Sequence, residues 1–146
     1  MSTIRITKEF NFEMAHALVG HDGPCKNIHG HSYKFNVTVK GKVKNGTEDS
    51  DEGMVVDFTI IKNIVKDLIV DEYDHSLVLW DKMNIDKNQL SFMNKLILVP
   101  FNPTCENLLG FYAEKIKKEL PSNIQLTHLM LRETPSSYAE WFAEDN

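Results

Sequence analysis

The sequence predicts an α+β protein in which a mainly antiparallel sheet carries two helices on one face. Two stretches near the N-terminus alternate apolar and polar residues with a period of two, and two later stretches repeat apolar residues at helical spacing. Two further strand-like stretches close the chain. Strand pairs that flank two helices are typical of a layered α+β fold, so the predicted order is β-β-α-α-β-β.

The chain has the length of one domain. Its 146 residues, 42% of them hydrophobic, suffice to bury one core, so we expect a single domain over residues 1–146. A net charge of −5 that is spread along the sequence argues against a nucleic-acid partner. No apolar run approaches a membrane span, and the first fifteen residues are too charged for a signal peptide, so we expect a cytoplasmic protein with no membrane partner. We interpret both cysteines, Cys25 and Cys105, as thiols.

The first two strands are predicted over residues 4–16 and 29–39. In the first stretch the even positions are mainly apolar, and in the second the odd positions carry the histidines and apolar residues. Residues 20–25 between them hold two glycines and a proline, which indicates an exposed loop between strands that pair. This loop brings Cys25 towards the histidines.

The helices are predicted over residues 58–70 and from Thr104 to residue 120. Asp57 is a plausible N-cap of the first helix, while Pro103 precedes and Pro121 ends the second. Residues 77–102 carry no clear periodicity, although residues 95–99 could form a short edge strand.

Residues 124–133 and 138–142 are the two last strands. With four clear strands the sheet has uncovered edges. Such edges are commonly paired with another subunit, so we expect a homo-oligomer.

Three histidines form the strongest functional signal. His29 and His31 are two apart in a strand and therefore project from the same face. His16 is in phase with the buried face of its own strand, and a hairpin in the right register brings it beside the other two. Three neutral imidazoles leave a fourth tetrahedral position open, which is typical of a catalytic zinc site.

Other interpretations of these histidines carry less weight. A lone buried histidine is more often a hydrogen-bonded core residue than a ligand, but His-Gly-His spacing with a third histidine in phase favours a metal. A cupin barrel would need a glutamate shortly after His31, where the chain has Lys34, Phe35 and Asn36. Non-haem iron would need Asp22 or another acid in place of one histidine, and it stays as a minor alternative.

Three other places could carry chemistry. Cys25 could be a fourth zinc ligand, an acid-base thiol beside the metal, or an inert loop residue. Asp74 and His75 follow the first helix, where a carboxylate can fix the tautomer of an imidazole, although such pairs also occur in solvated loops. Glu133 lies at the end of an apolar strand. It is either an exposed acid or a buried acid that binds the cationic or amide-like edge of a ligand. The residue pattern leaves these alternatives open.

Five motifs together resemble the family of pyruvoyl-tetrahydropterin and carboxy-tetrahydropterin synthases, in the family's order and over nearly the whole chain. They are FEMAH at 12–16, CKNIHGHSY at 25–33, DH at 74–75, PTCEN at 103–107 and RET at 132–134. The resemblance implies the tunnelling fold (T-fold), in which β-β-α-α-β-β subunits join edge to edge, commonly as a hexamer made of two trimers.

The resemblance also implies roles for the site residues. Zinc would bind to His16, His29 and His31, and Glu133 would grip a pterin at a subunit interface. Cys25 would act as base, assisted in proton transfer by Asp74 and His75. In addition, Thr104 and Glu106 match a motif at a helix start, where they either contact substrate or cap the helix.

One spacing resembles a particular branch of the family. Three residues separate Cys25 from His29, as in the bacterial carboxy-tetrahydropterin synthases of queuosine precursor synthesis. We therefore expect conversion of 7,8-dihydroneopterin triphosphate to 6-carboxy-5,6,7,8-tetrahydropterin, with release of acetaldehyde and triphosphate. The alternatives are a 6-pyruvoyl-tetrahydropterin synthase, which stops before carbon-carbon cleavage, and a non-enzymatic structural zinc module closed by Cys25.

Overall fold

The computed structural model describes residues 1–146, the side chain of Lys87 excepted. Six strands form one sheet in the order β4-β3-β1-β2-β5-β6. The β1–β2, β2–β5 and β5–β6 pairs are antiparallel, whereas β1–β3 and β3–β4 are parallel. The strands are β1 (Thr3–His16), β2 (His29–Lys42), β3 (Ser76–Trp80), β4 (Leu96–Val99), β5 (Gln125–Thr134) and β6 (Ser137–Phe142).

The helices begin where the sequence predicts. Helix α1 (Phe58–Val65) continues through a π-helical turn (Lys66–Val70) into the short α2 (Asp71–Tyr73), three residues beyond the predicted end. Asp57 caps α1 by accepting a hydrogen bond from the backbone N–H of Thr59 at 2.7 Å. Helix α3 (Cys105–Glu119) follows Pro103 and ends before Pro121, as predicted.

Both long helices pack on one face of the sheet. Tyr33 and Phe35 of β2 and Tyr112 and Ile116 of α3 are fully buried there. The opposite face of β1 and β2 carries polar residues such as Glu13 and is largely exposed. The alternation predicted for these two strands is therefore confirmed, and it separates an apolar face from a polar one.

The sheet is mainly antiparallel as predicted, and its two parallel pairs, β1–β3 and β3–β4, lie together on one side. β4 confirms the edge strand, but β3 was not predicted, because its residues before Trp80 are buried on both faces and show no alternation. Leu77 and Leu79 form a second cluster with apolar residues of the segment that follows β3, such as Met83 and Met93. The long stretch between Trp80 and Phe101 thus covers the second face of β3.

No helix among the described residues is long and apolar enough to cross a membrane. The sheet ends in β4 on one side and β6 on the other, and each edge exposes an apolar side chain, Leu98 and Tyr138 respectively.

Candidate active site

The three histidines converge at the end of the β1–β2 pair. His16 and His29 are directly opposite one another in the register, and His31 is two residues further along β2. One ligand nitrogen from each ring lies within 4.8 Å of the others, and the ring centroids are 4.6 to 5.3 Å apart. The three side chains are therefore positioned to bind one metal ion, as the sequence predicts.

Backbone carbonyls fix the orientation of two of these rings. His16 Nδ1 lies 2.7 Å from the carbonyl oxygen of Pro103, and His29 Nδ1 lies 2.8 Å from that of Asn27. Because a carbonyl oxygen only accepts, each Nδ1 must carry the proton and donate it. In the neutral rings the Nε2 atoms then bear lone pairs, and these two atoms are 3.0 Å apart. Two facing lone pairs require a cation or a proton between them, so this arrangement fits a shared metal ion.

The surroundings favour the neutral form of His16 and His31. Burial lowers the pKa of His16 from 6.5 to about 4, the Pro103 carbonyl raises it in part, and His29 and His31 lower it further. Burial and His29 also lower the pKa of His31. Because metal binding needs unprotonated imidazole, these shifts leave the nitrogens available near neutral pH.

Cys25 lies in the loop that joins β1 to β2. It sits in a short 3-10 turn (Pro24–Lys26) and is partly exposed, and its carbonyl oxygen accepts a hydrogen bond from the backbone N–H of Leu18 at 2.9 Å. Among the described residues, the group of ligand atoms that could share a metal contains the three histidines and not Cys25.

Glu133 approaches the cluster from β5. Its Oε1 atom lies 4.0 Å from His16 Nε2, and it lines a cleft of about 660 Å³ together with His31. Burial raises the pKa of Glu133, the charge of Glu106 raises it further, and His29 and Tyr33 act in the opposite direction. The acid is thus partly buried next to the metal site rather than fully exposed.

Tyr33 adds an unpaired polar atom to this region. Its ring lies 5.4 Å from that of His31, and its buried hydroxyl has no hydrogen-bond partner among the described residues. Burial, followed by the charge of Glu133, raises its pKa. Tyr33 and Glu133 shift one another's pKa, so the hydroxyl lies close to the carboxylate that lines the cleft.

Thr104 and Glu106 both lie at the start of α3. The Thr104 hydroxyl accepts a hydrogen bond from the backbone N–H of Asn107 at 3.3 Å and therefore caps the helix. Glu106 is exposed in the first turn, close enough to Glu133 to influence its pKa. Thr104 thus caps the helix, and Glu106 raises the pKa of Glu133 in the neighbouring cleft.

The Asp74–His75 pair lies at the junction between α2 and β3. His75 Nδ1 is 2.9 Å from Asp74 Oδ2, and Asp74 Oδ1 accepts a hydrogen bond from the backbone N–H of Glu13 at 2.8 Å. Burial acts to raise the pKa of Asp74, but the Glu13 N–H, the His75 ring and the charge of Lys95 outweigh it, so the pKa is lowered.

The Asp74–His75 pair borders a cleft next to the β1–β2 pair. The His75 side chain is 76% exposed and lines a cleft of about 380 Å³ with Glu13 and Ser32. Glu13 and Ser32 are opposite one another in the β1–β2 register and hydrogen-bonded at 2.7 Å. His31 also lines this cleft, so the pair and one of the three histidines border a common space.

Comparison with known proteins identifies the family. The model of the family described as 6-pyruvoyl tetrahydropterin synthase matches residues 5–144. The chain belongs to this family. It is 37% identical over 143 residues to a Haemophilus influenzae protein named 6-carboxy-5,6,7,8-tetrahydropterin synthase, covering 94% of this chain and 97% of the relative. A Rickettsia bellii protein of the same name is 32% identical over 142 residues, covering 94% and 99%.

Solved structures of the family share the fold. The 6-pyruvoyl tetrahydropterin synthase of Caenorhabditis elegans has a TM-score of 0.69 at 24% identity, covering 98% of this chain and 97% of that one. The Plasmodium vivax enzyme has a TM-score of 0.72 at 16% identity, covering 97% and 98%. The chain thus has the α+β tunnelling fold that the resemblance implied.

Several contacts in this member of the tetrahydropterin synthase family were not predicted. The carbonyls of Pro103 and Asn27 orient the rings of His16 and His29. Every residue has a backbone carbonyl, so the sequence does not indicate which carbonyls bind the rings. The Glu13 backbone binds Asp74 because β3 runs parallel beside β1. Lys95 lies in the stretch that showed no clear periodicity.

Proposed function

We propose that the chain converts 7,8-dihydroneopterin triphosphate to 6-carboxy-5,6,7,8-tetrahydropterin and releases acetaldehyde and triphosphate. The observation that carries the proposal is the 3.0 Å approach of the His16 and His29 Nε2 atoms, with both Nδ1 atoms held by carbonyls. Relatives of 37% and 32% identity that carry the name of this activity support it.

The metal is zinc in this proposal, held by His16, His29 and His31. Three neutral imidazole ligands suit zinc and leave a position for substrate. Zinc bound there supplies a Lewis acid for the oxygen atoms of the substrate side chain. The pterin ring is reduced while its side chain is oxidised, and one water molecule supplies an oxygen of the carboxyl group, so the conversion needs no external redox cofactor.

In this proposal Glu133 binds the pterin ring, and Cys25 acts as the base. A carboxylate can accept two hydrogen bonds from the 2-amino group and ring N–H of a pterin, and the cleft beside His31 gives Glu133 access to such an edge. The Cys25 thiolate takes the proton from the side chain. Glu106 adjusts the charge around Glu133, and Thr104 acts through the helix cap.

The Asp74–His75 pair is proposed to act on a neighbouring copy of the chain. His75 lines one cleft with His31 and Glu133 lines another with His31, so neither of these two clefts brings His75 together with Glu133. Subunits joined at β4 and β6, in a hexamer of two trimers, would place the pair of one copy beside the metal of the next. The exposed apolar side chains on both edges support this assembly.

Product analysis tests the proposal. Zinc-loaded protein is incubated with 7,8-dihydroneopterin triphosphate, and the pterin product, triphosphate and acetaldehyde are quantified together. We expect carboxylated tetrahydropterin and acetaldehyde in equal amounts. A pyruvoyl pterin without acetaldehyde would assign the chain to the other activity of the family, and bound zinc without any conversion would support a structural zinc module.

A further inference from the structure

We propose that Lys95 is a positioning residue that holds the Asp74–His75 pair in the orientation needed for proton transfer. The inference rests on the proposed function, because it gives Lys95 a part in that reaction. The residue lies outside the five family motifs, in the stretch before β4.

The backbone at the Asp74–His75 pair has an unusual conformation. Asp74 leaves the helical region at the end of α2, and His75 has a φ of 58°, in the left-handed region that residues with a Cβ atom rarely adopt. Such a conformation persists only where surrounding contacts determine it. The orientation of the imidazole therefore depends on the groups that hold this turn.

Lys95 supplies two of those contacts. Its ammonium group donates hydrogen bonds to the carbonyl oxygens of Asp71 and Asp74, each at 2.6 Å. Carbonyls in the last turn of a helix lack partners within the helix, and a cation there also interacts favourably with the helix dipole. Lys95 thus joins the end of the helix to the residue that precedes His75.

The position of Lys95 is itself fixed by the sheet. Its carbonyl oxygen accepts a hydrogen bond from the backbone N–H of Leu77 at 3.0 Å, and the next residue, Leu96, pairs with Leu77 in the β3–β4 register. The lysine backbone cannot shift without disturbing this parallel pair. The other side of the turn is held by the Glu13 backbone, which binds the Asp74 carboxylate and the His75 N–H.

A matched pair of lysines makes the test specific. Lys66 binds both carboxylate oxygens of Asp71 at 2.6 and 2.8 Å but does not donate to the Asp74 carbonyl. Lys95→Met removes the cation that holds the turn, whereas Lys66→Met removes one from the same helix end. Lys95→Arg keeps the charge and can still donate to both carbonyls. Steady-state kinetics, zinc content and thermal midpoint are measured for all three variants.

Loss of orientation predicts a fall in kcat and little change in KM. We expect Lys95→Met to lower kcat by about 10- to 100-fold with KM within roughly twofold and zinc content unchanged. Lys66→Met should stay within roughly twofold of the wild type, and Lys95→Arg should recover most of the loss.

The outcomes separate this inference from the proposed function. Conversion by the wild type together with equal kcat values for Lys95→Met and Lys66→Met would overturn the role of Lys95 alone. Loss of zinc in Lys95→Met, or no recovery in Lys95→Arg, would also overturn it in favour of a structural role. If Lys95→Met does not fold, Lys95→Gln carries the same comparison. A wild type that converts no substrate would overturn both proposals.

Discussion

His16 and His29 face one another across the β1–β2 pair with their Nε2 atoms 3.0 Å apart, while each Nδ1 is bound to a carbonyl oxygen of the backbone. The repulsion between two lone pairs at this distance is removed when a metal ion lies between them. The folded chain therefore holds the nitrogens of His16, His29 and His31 close enough together to share one metal ion.

Removal of one ligand should abolish tight metal binding. We expect His29→Ala to retain less than about a tenth of the zinc of the wild type after dialysis against a weak chelator, measured by elemental analysis. His128→Ala is the control, because His128 lies on β5 and binds Glu140 instead. A strong chelator should lower the thermal midpoint of the wild type but not that of His29→Ala. Equal zinc contents in the two variants would contradict the site.

The metal site could be predicted because it depends on period-two alternation. In a strand this alternation fixes which residues share a face, and a loop with two glycines and a proline indicates that the flanking strands pair. Together these features aim His16, His29 and His31 at one point. Periodicity also predicted β5, β6 and the two long helices, and the structure confirms them.

The surroundings of Asp74 and His75 could not be predicted in the same way. β3 is a five-residue strand whose apolar run carries no alternation and cannot be distinguished from a buried helical segment. Without β3 there was no reason to place Asp74 beside Glu13, or Lys95 beside the end of α2. The left-handed conformation of His75 is also a property of the backbone that residue type does not reveal.

Cys25 should be needed for turnover and not for metal binding. We expect Cys25→Ala to lower kcat by at least about 100-fold while zinc content and thermal midpoint stay near those of the wild type, because the thiol lies outside the group of metal ligands. The second thiol provides the comparison: Cys105 is buried and donates to the Leu131 carbonyl, so iodoacetamide should modify Cys25 first. Loss of zinc in Cys25→Ala would instead indicate a closed structural site.

Glu133 should contribute mainly to pterin binding. We expect Glu133→Gln to weaken binding of a substrate analogue by about 10- to 100-fold, because an amide replaces a charged acceptor of two hydrogen bonds. Quenching of pterin fluorescence measures the affinity. Glu140→Gln is a suitable control, since Glu140 pairs with His128 on another part of β5–β6. Unchanged affinity with a reduced kcat would assign Glu133 to the chemistry instead.

The lowered pKa of Asp74 predicts how its contribution to stability depends on pH. A carboxylate whose pKa is lower in the folded state stabilises that state fully above its unfolded value of 3.8, and the contribution is lost as the pH falls through the folded value. Asp74→Asn should therefore be less stable than the wild type by the same amount at about pH 7 and pH 5. The difference should shrink below pH 3.8. Urea denaturation of metal-stripped protein measures it, and a difference that grows with acidity would contradict the assignment.

A site shared between copies predicts complementation between inactive variants. Cys25→Ala and His75→Ala each remove one half of the site, and both should be inactive alone. In mixed oligomers of equal composition, a site has an intact Cys25 from one copy and an intact His75 from the next with a chance of one half each. About a quarter of the wild-type activity should then return on co-expression. If both residues acted within one chain, every site would lack one of them, and the mixture would stay as inactive as either variant.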